Sequence, residues 1–430
     1  MGISLNEMDV VAQEYDFKNR MKRIIPSVDY ATHGIHSYTA KLIPHIPHYF
    51  IGKYTRKGDT ILDPFCGSGT TLLEARVLGR NAIGIDINPL AILISEVKTT
   101  SISIARLDYA VQLVKQQLLN GVETPVVVEF PNMDYWFCKD AQNGLQTIRT
   151  VIERLRGNID RSLYKFLQLC FSSIIRKCSY ADPRIAKIYK STRMVQKSRN
   201  GWVPTPIQYF EEAVIKNSGR IKTLSEMITS ADGYTKLIQG DARALPMMSE
   251  HNDSEKVDFI ITSPPYINAQ DYFRSYKLEL WWLGLATPEE VRYLRQQAIG
   301  TETTNRGNNN FPRMDDNPLL NLTCDAISEK SISKSLVVHN YFQNMRLVLD
   351  KCKQVLRKGG YLCLITGTNT ICEVRVLSYA ILAKMAKDIG FRIVEIGTDR
   401  IRDRALPPNR NHDAGVIKEE WITVLRKERD

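Results

Sequence analysis

The stretch TILDPFCGSGTTLLEARVLGRNAIGIDINPLA, residues 60–91, changes period twice within one short span. Ile61 and Leu62 read as the end of a buried strand, and DPFCGSG (63–69) as a glycine-rich turn. In TTLLEARVLG, Leu72, Leu73, Ala75 and Leu78 fall at helical spacing, and Gly79 stops the helix. NAIGIDI then returns to a strand that ends on Asp86. Strand, helix and strand in this order make a βαβ unit, the seed of an α/β fold with a parallel, doubly wound sheet.

The rest of the chain accommodates such a sheet. Its 430 residues, 43% hydrophobic and 24% charged, have the balance of a soluble globular protein with a large core. No run approaches the roughly 18–20 apolar residues of a membrane span. The opening MGISLNEMDVVAQEYD carries acids early and lacks an apolar core, so no signal peptide is expected. Eight cysteines (66, 138, 170, 178, 324, 352, 363 and 372) form no Cys-x-x-Cys pair. That argues against a zinc knuckle or a disulfide scaffold and for a reducing cytoplasm.

Charge is unevenly spread. Residues 176–222 hold eleven Lys or Arg against three acids, which is +8 of the chain's net +11. A localised excess reads as a polyanion footprint, with Arg184, Lys187, Lys190, Arg193 and Lys197 as candidate contacts; a solvated helical face is the bland alternative.

Beyond the βαβ unit, residues 105–119 read as helix. LYKFLQLCFSSIIRKC (163–178) places Leu163, Phe166, Leu167, Cys170, Phe171, Ile174, Ile175 and Cys178 on one helical stripe. Residues 120–232 are therefore expected to be a mostly helical insertion, dividing sheet-bearing parts at 1–119 and 233–430. Sheet-like sequence resumes at TKLIQGDARAL (235–245) and KVDFIITSPPY (256–266). Residues 300–335 are polar, Asn-rich and loop-like. A helix from about 340 to 356 leads to the buried strand GYLCLITG (360–367), and the last strands follow FRIVEIGTDR.

DPFCGSG occupies the position where doubly wound folds bind a nucleotide-like ligand. Gly67 and Gly69 let the backbone approach that ligand closely. Neither Gly-x-x-x-x-Gly-Lys nor Gly-x-Gly-x-x-Gly is present, which excludes a P-loop and weakens a dinucleotide reading. Asp86, at a strand end, is placed to accept hydrogen bonds from two ribose hydroxyls, and Asp241 in QGDAR to reach an adenine amino group. Together they suit an adenosine with no need of a phosphate clamp. The strand FIIT then breaks into Ser263-Pro264-Pro265-Tyr266. Two prolines remove ladder donors and fix φ, so this turn is rigid.

DPFCGSGTT followed by GIDIN, GDA and TSPPY resembles the amino-methyltransferase family of DNA methyltransferases. Phe65, Gly67 and Gly69 match its Phe-x-Gly-x-Gly cofactor motif. Ser263, Pro264, Pro265 and Tyr266 match its catalytic motif of Asn, Asp or Ser, then Pro-Pro, then Tyr or Phe. The similarity runs over about 35–100 and 235–425. It implies a seven-stranded Rossmann-like fold and S-adenosylmethionine as cofactor, held by Lys41, Asp63, Phe65, Gly67, Gly69, Asp86 and Asp241. Lys41 and Pro44 fall in the segment that closes over the methionine end, while His36 and Tyr38 read equally well as packing residues. It also implies double-stranded DNA as partner, a cytoplasmic bacterial, archaeal or phage enzyme, and a cognate restriction endonuclease.

The resemblance gives the rigid turn a task. An exocyclic amine is a poor nucleophile because its lone pair is conjugated into the base. The Ser263 hydroxyl and Pro264 carbonyl can accept its two N–H bonds and favour a pyramidal nitrogen, with the prolines fixing both acceptors. Tyr266 can stack on a base swung out of the duplex. Within the family, Ser at the first position goes mostly with N4 of cytosine, and Asp or Asn with N6 of adenine. Cytosine N4 is therefore expected, with adenine N6 the runner-up and an RNA base a third reading. Neither a metal nor a cysteine nucleophile is expected. The insertion departs from the family's usual order, so its part in reading DNA rests on the basic cluster, with 300–335 the competitor.

Overall fold

The computed structural model describes residues 12–185, 187–228, 232–245, 256–267, 271–300, 317–401 and 417–428. Ten strands lie among them: β1 Gln13–Tyr15, β2 Thr60–Asp63, β3 Asn81–Asp86, β4 Thr235–Gln239, β5 Val257–Thr262, β6 Leu356–Gly367, β7 Asn369–Ile371, β8 Val374–Val376, β9 Phe391–Arg400 and β10 Glu419–Lys427. Eight form one sheet in the order β1-β9-β10-β6-β5-β2-β3-β4, and β7 with β8 makes a small separate ribbon. From β6 through β4 the strands are parallel. β10 is antiparallel to both β6 and β9. Ile61, Leu62, Ile85, Ile260, Ile261 and Ile365 are fully buried. Near-continuous apolar runs are what strands covered on both faces require.

The eighth strand corrects the expected count of seven: β1 adds to the outer edge, parallel to β9, with Gln13 opposite Gly397. Its sequence, QEY, carries no strand pattern of its own, and the Tyr15 ring occupies the space a Cβ on Gly397 would need.

Strand order reverses between β2 and β5. β2 pairs with β3 on one side and with β5 on the other, with Leu62 opposite Ile260. This register sets the DPFCGSG turn beside the SPPY turn, in the crevice where open α/β sheets bind ligands. The helix Thr70–Val77 leaves the first turn and buries Leu72, Leu73 and Ala75, as their spacing predicted.

Helices Ile104–Leu119, Lys139–Leu155, Arg161–Ile175, Thr192–Arg199 and Pro206–Met227 fill most of the segment between β3 and β4. Leu107, Val114, Leu145, Ile152, Phe166, Phe171, Phe210 and Ile221 meet in one apolar cluster. That cluster also takes Phe273, Tyr276, Leu280 and Trp282 from the helix Tyr272–Leu283, which follows the SPPY turn. These helices thus pack directly onto the element next to the SPPY turn.

The expected loop at 300–335 is corrected in part. Residues 301–316 lie outside the described residues, but 317–335 is helical, in Pro318–Ser328 and the start of Ile332–Val355. Asn317 and Ser331 cap these helices by accepting from the Leu320 and Lys334 N–H groups, and Pro318 sits in the first turn. Leu320, Cys324 and Ile327 supply the buried face. The polar composition of the preceding residues hides this pattern. Among the described residues, no helix is long and apolar enough to cross a membrane.

Candidate active site

One cavity opens at the switch point. Lys41, Asp63, Phe65, Gly67, Asp86, Asp241, Ser263 and Pro265 all line it. Pro44, Gly69, Pro264 and Tyr266, also named from the sequence, adjoin these residues in the chain without lining the cavity themselves. Gly69 holds the turn's shape. Its φ of +76° is left-handed, and a Cβ there would stand 3.0 Å from the Ser95 Cα. Only glycine satisfies both conditions.

Asp86 closes the turn from β3. Its carboxylate accepts from the Gly67 N–H at 2.9 Å and the Asn88 N–H at 2.8 Å. Burial nevertheless raises the carboxyl to about 6. Asp63 is raised to about 6 by burial as well. It accepts from the Thr262 hydroxyl at 2.6 Å and the Phe65 N–H at 3.1 Å. Because Thr262 immediately precedes Ser263, this bond ties the cofactor-type turn to the SPPY turn across neighbouring strands.

Two expected contacts are pre-engaged. The Asp241 carboxylate is gripped by Arg243, through its N–H at 2.8 Å and its Nε at 2.9 Å. Arg243 in turn donates to Asn344 Oδ1 and the Gln297 carbonyl. The Lys41 ammonium donates to Asp29 at 2.8 Å and to the His33 carbonyl at 3.1 Å, so it lines the cavity while its charge is paired.

Sequence reasoning missed an aromatic wall. Tyr38 lines the cavity and stacks on Tyr276, with ring centres 5.0 Å apart and planes 1° from parallel. Tyr272 also stacks on Tyr38, with ring centres 5.8 Å apart, and lines the cavity. Tyr276 is buried, and its hydroxyl accepts from the Thr39 N–H at 2.8 Å. Asp271 lines the cavity too, caps the helix Tyr272–Leu283 by accepting from the Arg274 N–H, and pairs with Arg295. No local pattern joins residues 38 and 276; only the fold brings them together.

The cavity therefore combines aromatic walls with strand-end carboxylates and no phosphate-binding glycine-lysine loop. That donor set fits an adenosine bearing a cationic sulfonium better than a nucleotide phosphate. Fold and site together define an S-adenosylmethionine-dependent methyltransferase.

The chain belongs to the DNA methylase family of N6/N4 methyltransferases, whose family model matches residues 12–96 and 257–430. Type II methyltransferase M.MvaI of Kocuria varians is 24% identical over 91% of this chain and 89% of its own length. Type II methyltransferase M.AvaI of Anabaena variabilis is 26% identical over 80% of this chain and 76% of its own. Type II methyltransferase M.BsoBI of Geobacillus stearothermophilus is 28% identical over 58% of this chain, which spans 52% of that protein. Among solved structures, the rRNA methyltransferase aviRa of Streptomyces viridochromogenes aligns over 96% of both chains at 10% identity, with a TM-score of 0.34. The enzyme is a DNA methyltransferase, and S-adenosylmethionine is its methyl donor.

Proposed function

We propose that the enzyme methylates the exocyclic N4 amine of a cytosine swung out of double-stranded DNA. The observation that carries this reading is the shared cavity wall. Ser263 and Pro265 face the same space as Asp86 and Gly67, joined through the Asp63–Thr262 hydrogen bond. S-adenosylmethionine supplies an electrophilic methyl group. Asp86 holds the ribose hydroxyls, while Asp63, Phe65, Gly67 and Gly69 fix the turn around the adenosine. Asp241 reaches the adenine with whatever acceptor capacity Arg243 leaves it, and Lys41 closes the methionine side. Ser263 and the Pro264 carbonyl accept the amine's two N–H bonds, Pro265 keeps them in place, and Tyr266 stacks on the base.

The inserted segment 120–232 is the proposed DNA-reading part. Its support is a surface that mixes cations with rings. The Lys190 ammonium lies 4.5 Å from the Tyr135 ring centre and 5.2 Å from that of Tyr180. Lys197 lies 4.9 Å from Trp202. Such pairing suits backbone tracking with base stacking. A cognate restriction endonuclease is proposed as a partner on the family resemblance alone.

Mass analysis of nucleosides from DNA methylated by the enzyme tests the base directly. N4-methylcytosine is expected; N6-methyladenine would overturn the base assignment while leaving the amine chemistry. Ser263→Ala should slow methyl transfer by on the order of a hundredfold with cofactor affinity unchanged, because one preorganised acceptor is lost. Wild-type turnover in that variant would remove Ser263 from the mechanism.

A further inference from the structure

Tyr266 makes its contacts beyond the residues that line the cavity. Its ring lies across the end of β6, where a Cβ on Gly367 would stand 2.9 Å from the tyrosine Cε2. Glycine at 367 is what lets the ring settle there. The strand register puts Glu420, near the start of β10, directly opposite Gly367. The Tyr266 hydroxyl accordingly lies 3.5 Å from Glu420 Oε1. Ser263, which lines the cavity, stands three residues before Tyr266 in the same rigid turn. Asn369 pins the far end of the turn by donating from Nδ2 to the Ile267 carbonyl at 2.7 Å. Three elements thus converge on one phenol.

We propose that Ser263, Tyr266 and Glu420 form a proton outlet, with Glu420 positioning the Tyr266 hydroxyl and finally accepting the proton that the methylated amine sheds. This inference rests on the amine-methylating reading above. The amine nitrogen forms a bond to the methyl carbon as the carbon–sulfur bond breaks, and that bond's electron pair stays on sulfur. The nitrogen then carries one proton too many. It passes to the Ser263 oxygen, whose own proton moves to the Tyr266 oxygen, and the phenol proton moves to the Glu420 carboxylate. Serine and tyrosine end as they began, and Glu420 later releases the proton to water.

The surroundings of Glu420 suit an acceptor that works near neutrality. Asp399 faces it across the β9–β10 pair, Tyr266 faces it from the turn, and Tyr341 of the helix Ile332–Val355 lies beside Tyr266. Arg375 is taken by the neighbouring Glu419, on the other side of the strand. Burial first and the Asp399 charge second raise the Glu420 carboxyl to about 7. The accepting carboxylate therefore forms as pH rises through about 7.

Single-turnover methyl transfer measured across pH, with duplex DNA and saturating S-adenosylmethionine, tests the outlet. Saturation keeps Asp86, which titrates near 6, out of the profile. The wild-type rate should fall on the acid side with a midpoint near 7. Glu420→Gln and Tyr266→Phe should each flatten that limb and slow transfer by roughly tenfold or more. The double variant should be no slower than either single one, because both break one chain. Glu420→Asp should restore the limb in part. Infrared difference titration of the protein alone should show a carboxyl protonating near 7 that Glu420→Gln abolishes. An intact acid limb in Tyr266→Phe overturns the proposal, and that variant decides if Glu420→Gln does not fold. Failure of the underlying reading looks different: the wild type itself would leave no methylated amine in digested DNA.

Discussion

Each oxygen of Asp86 already accepts one backbone N–H, Oδ2 from Gly67 and Oδ1 from Asn88, so each keeps a lone pair for a ribose hydroxyl. Asp86→Ala should therefore weaken S-adenosylmethionine binding by on the order of tenfold or more, the loss of one to two good hydrogen bonds. Titration calorimetry reads this directly, and unchanged affinity would overturn the ribose role. Burial raises this carboxyl to about 6, so cofactor affinity should also decline as pH falls below that value and a proton takes one acceptor site. The places of Asp86 and Gly67 in the cavity wall were legible because they follow from a local motif at a strand end. Tyr38 was not, since its stacking partner Tyr276 is supplied by a helix more than two hundred residues later. Arg243 was half legible: an arginine two residues after a turn aspartate can fold back on it, as this one does.

The helix Thr70–Val77 shows where pattern reading stops at the level of an element. Its apolar positions announced the face that meets the sheet, but Glu74 reads as solvent-facing and is fully buried. It is surrounded by donors: the Tyr30 hydroxyl, His33 Nε2 at 2.6 Å and His48 Nδ1 at 2.7 Å. These come from the preparatory segment before β2, which the network fastens to the cofactor helix. Burial alone would raise the Glu74 carboxyl, but the hydrogen bonds from His33 and His48 outweigh it and hold the group at about 2. Burial depresses His33 to about 4. Both values lie below those of an unfolded chain, so the unfolded state binds more protons in acid. The stability contributed by His33 is complete above about 6.5 and lost as pH falls toward 4; that of Glu74 is lost from about 4.5 toward 2. Glu74→Ala should cost roughly 3 kcal/mol or more at neutral pH by urea denaturation, as removing one partner strands the others. It should also flatten the loss of stability in acid. A neutral-pH cost below about 1 kcal/mol would show that the network relaxes around the gap.

Across the whole molecule, the parallel centre of the sheet was legible because the covered strands are apolar runs, whereas the β1 edge and the helices of 317–335 depend on partners distant in sequence. The basic segment is the sharpest case. Its eleven cations read as one track, yet Arg176 pairs with buried Glu279 at 3.5 Å, and Arg220 donates to the Asp29 and Ala31 carbonyls. Those two fasten the helices between β3 and β4 to the segments before β2 and after β5. Arg184 and Arg193 lie 2.8 and 3.5 Å from Asp182, which offsets part of their charge. Lys190 and Lys197 rest against rings, and Lys187 is exposed. A phosphate track would therefore be shorter than the composition suggests and centred on 187–197. Counterion release measures its length, since each phosphate contact contributes about −0.9 to the slope of log affinity against log salt on duplex DNA. Neutralising Lys187, Lys190, Arg193 and Lys197 together should flatten that slope by roughly two to four units. Arg193, already shared with Asp182, is the one expected to contribute least. Cofactor affinity should not change, because none of the four lines the cavity. Fluorescence anisotropy with a duplex carrying the recognition site, at several salt concentrations, supplies both quantities. An unchanged slope would make 187–197 a solvated face and move DNA reading to another surface of the enzyme.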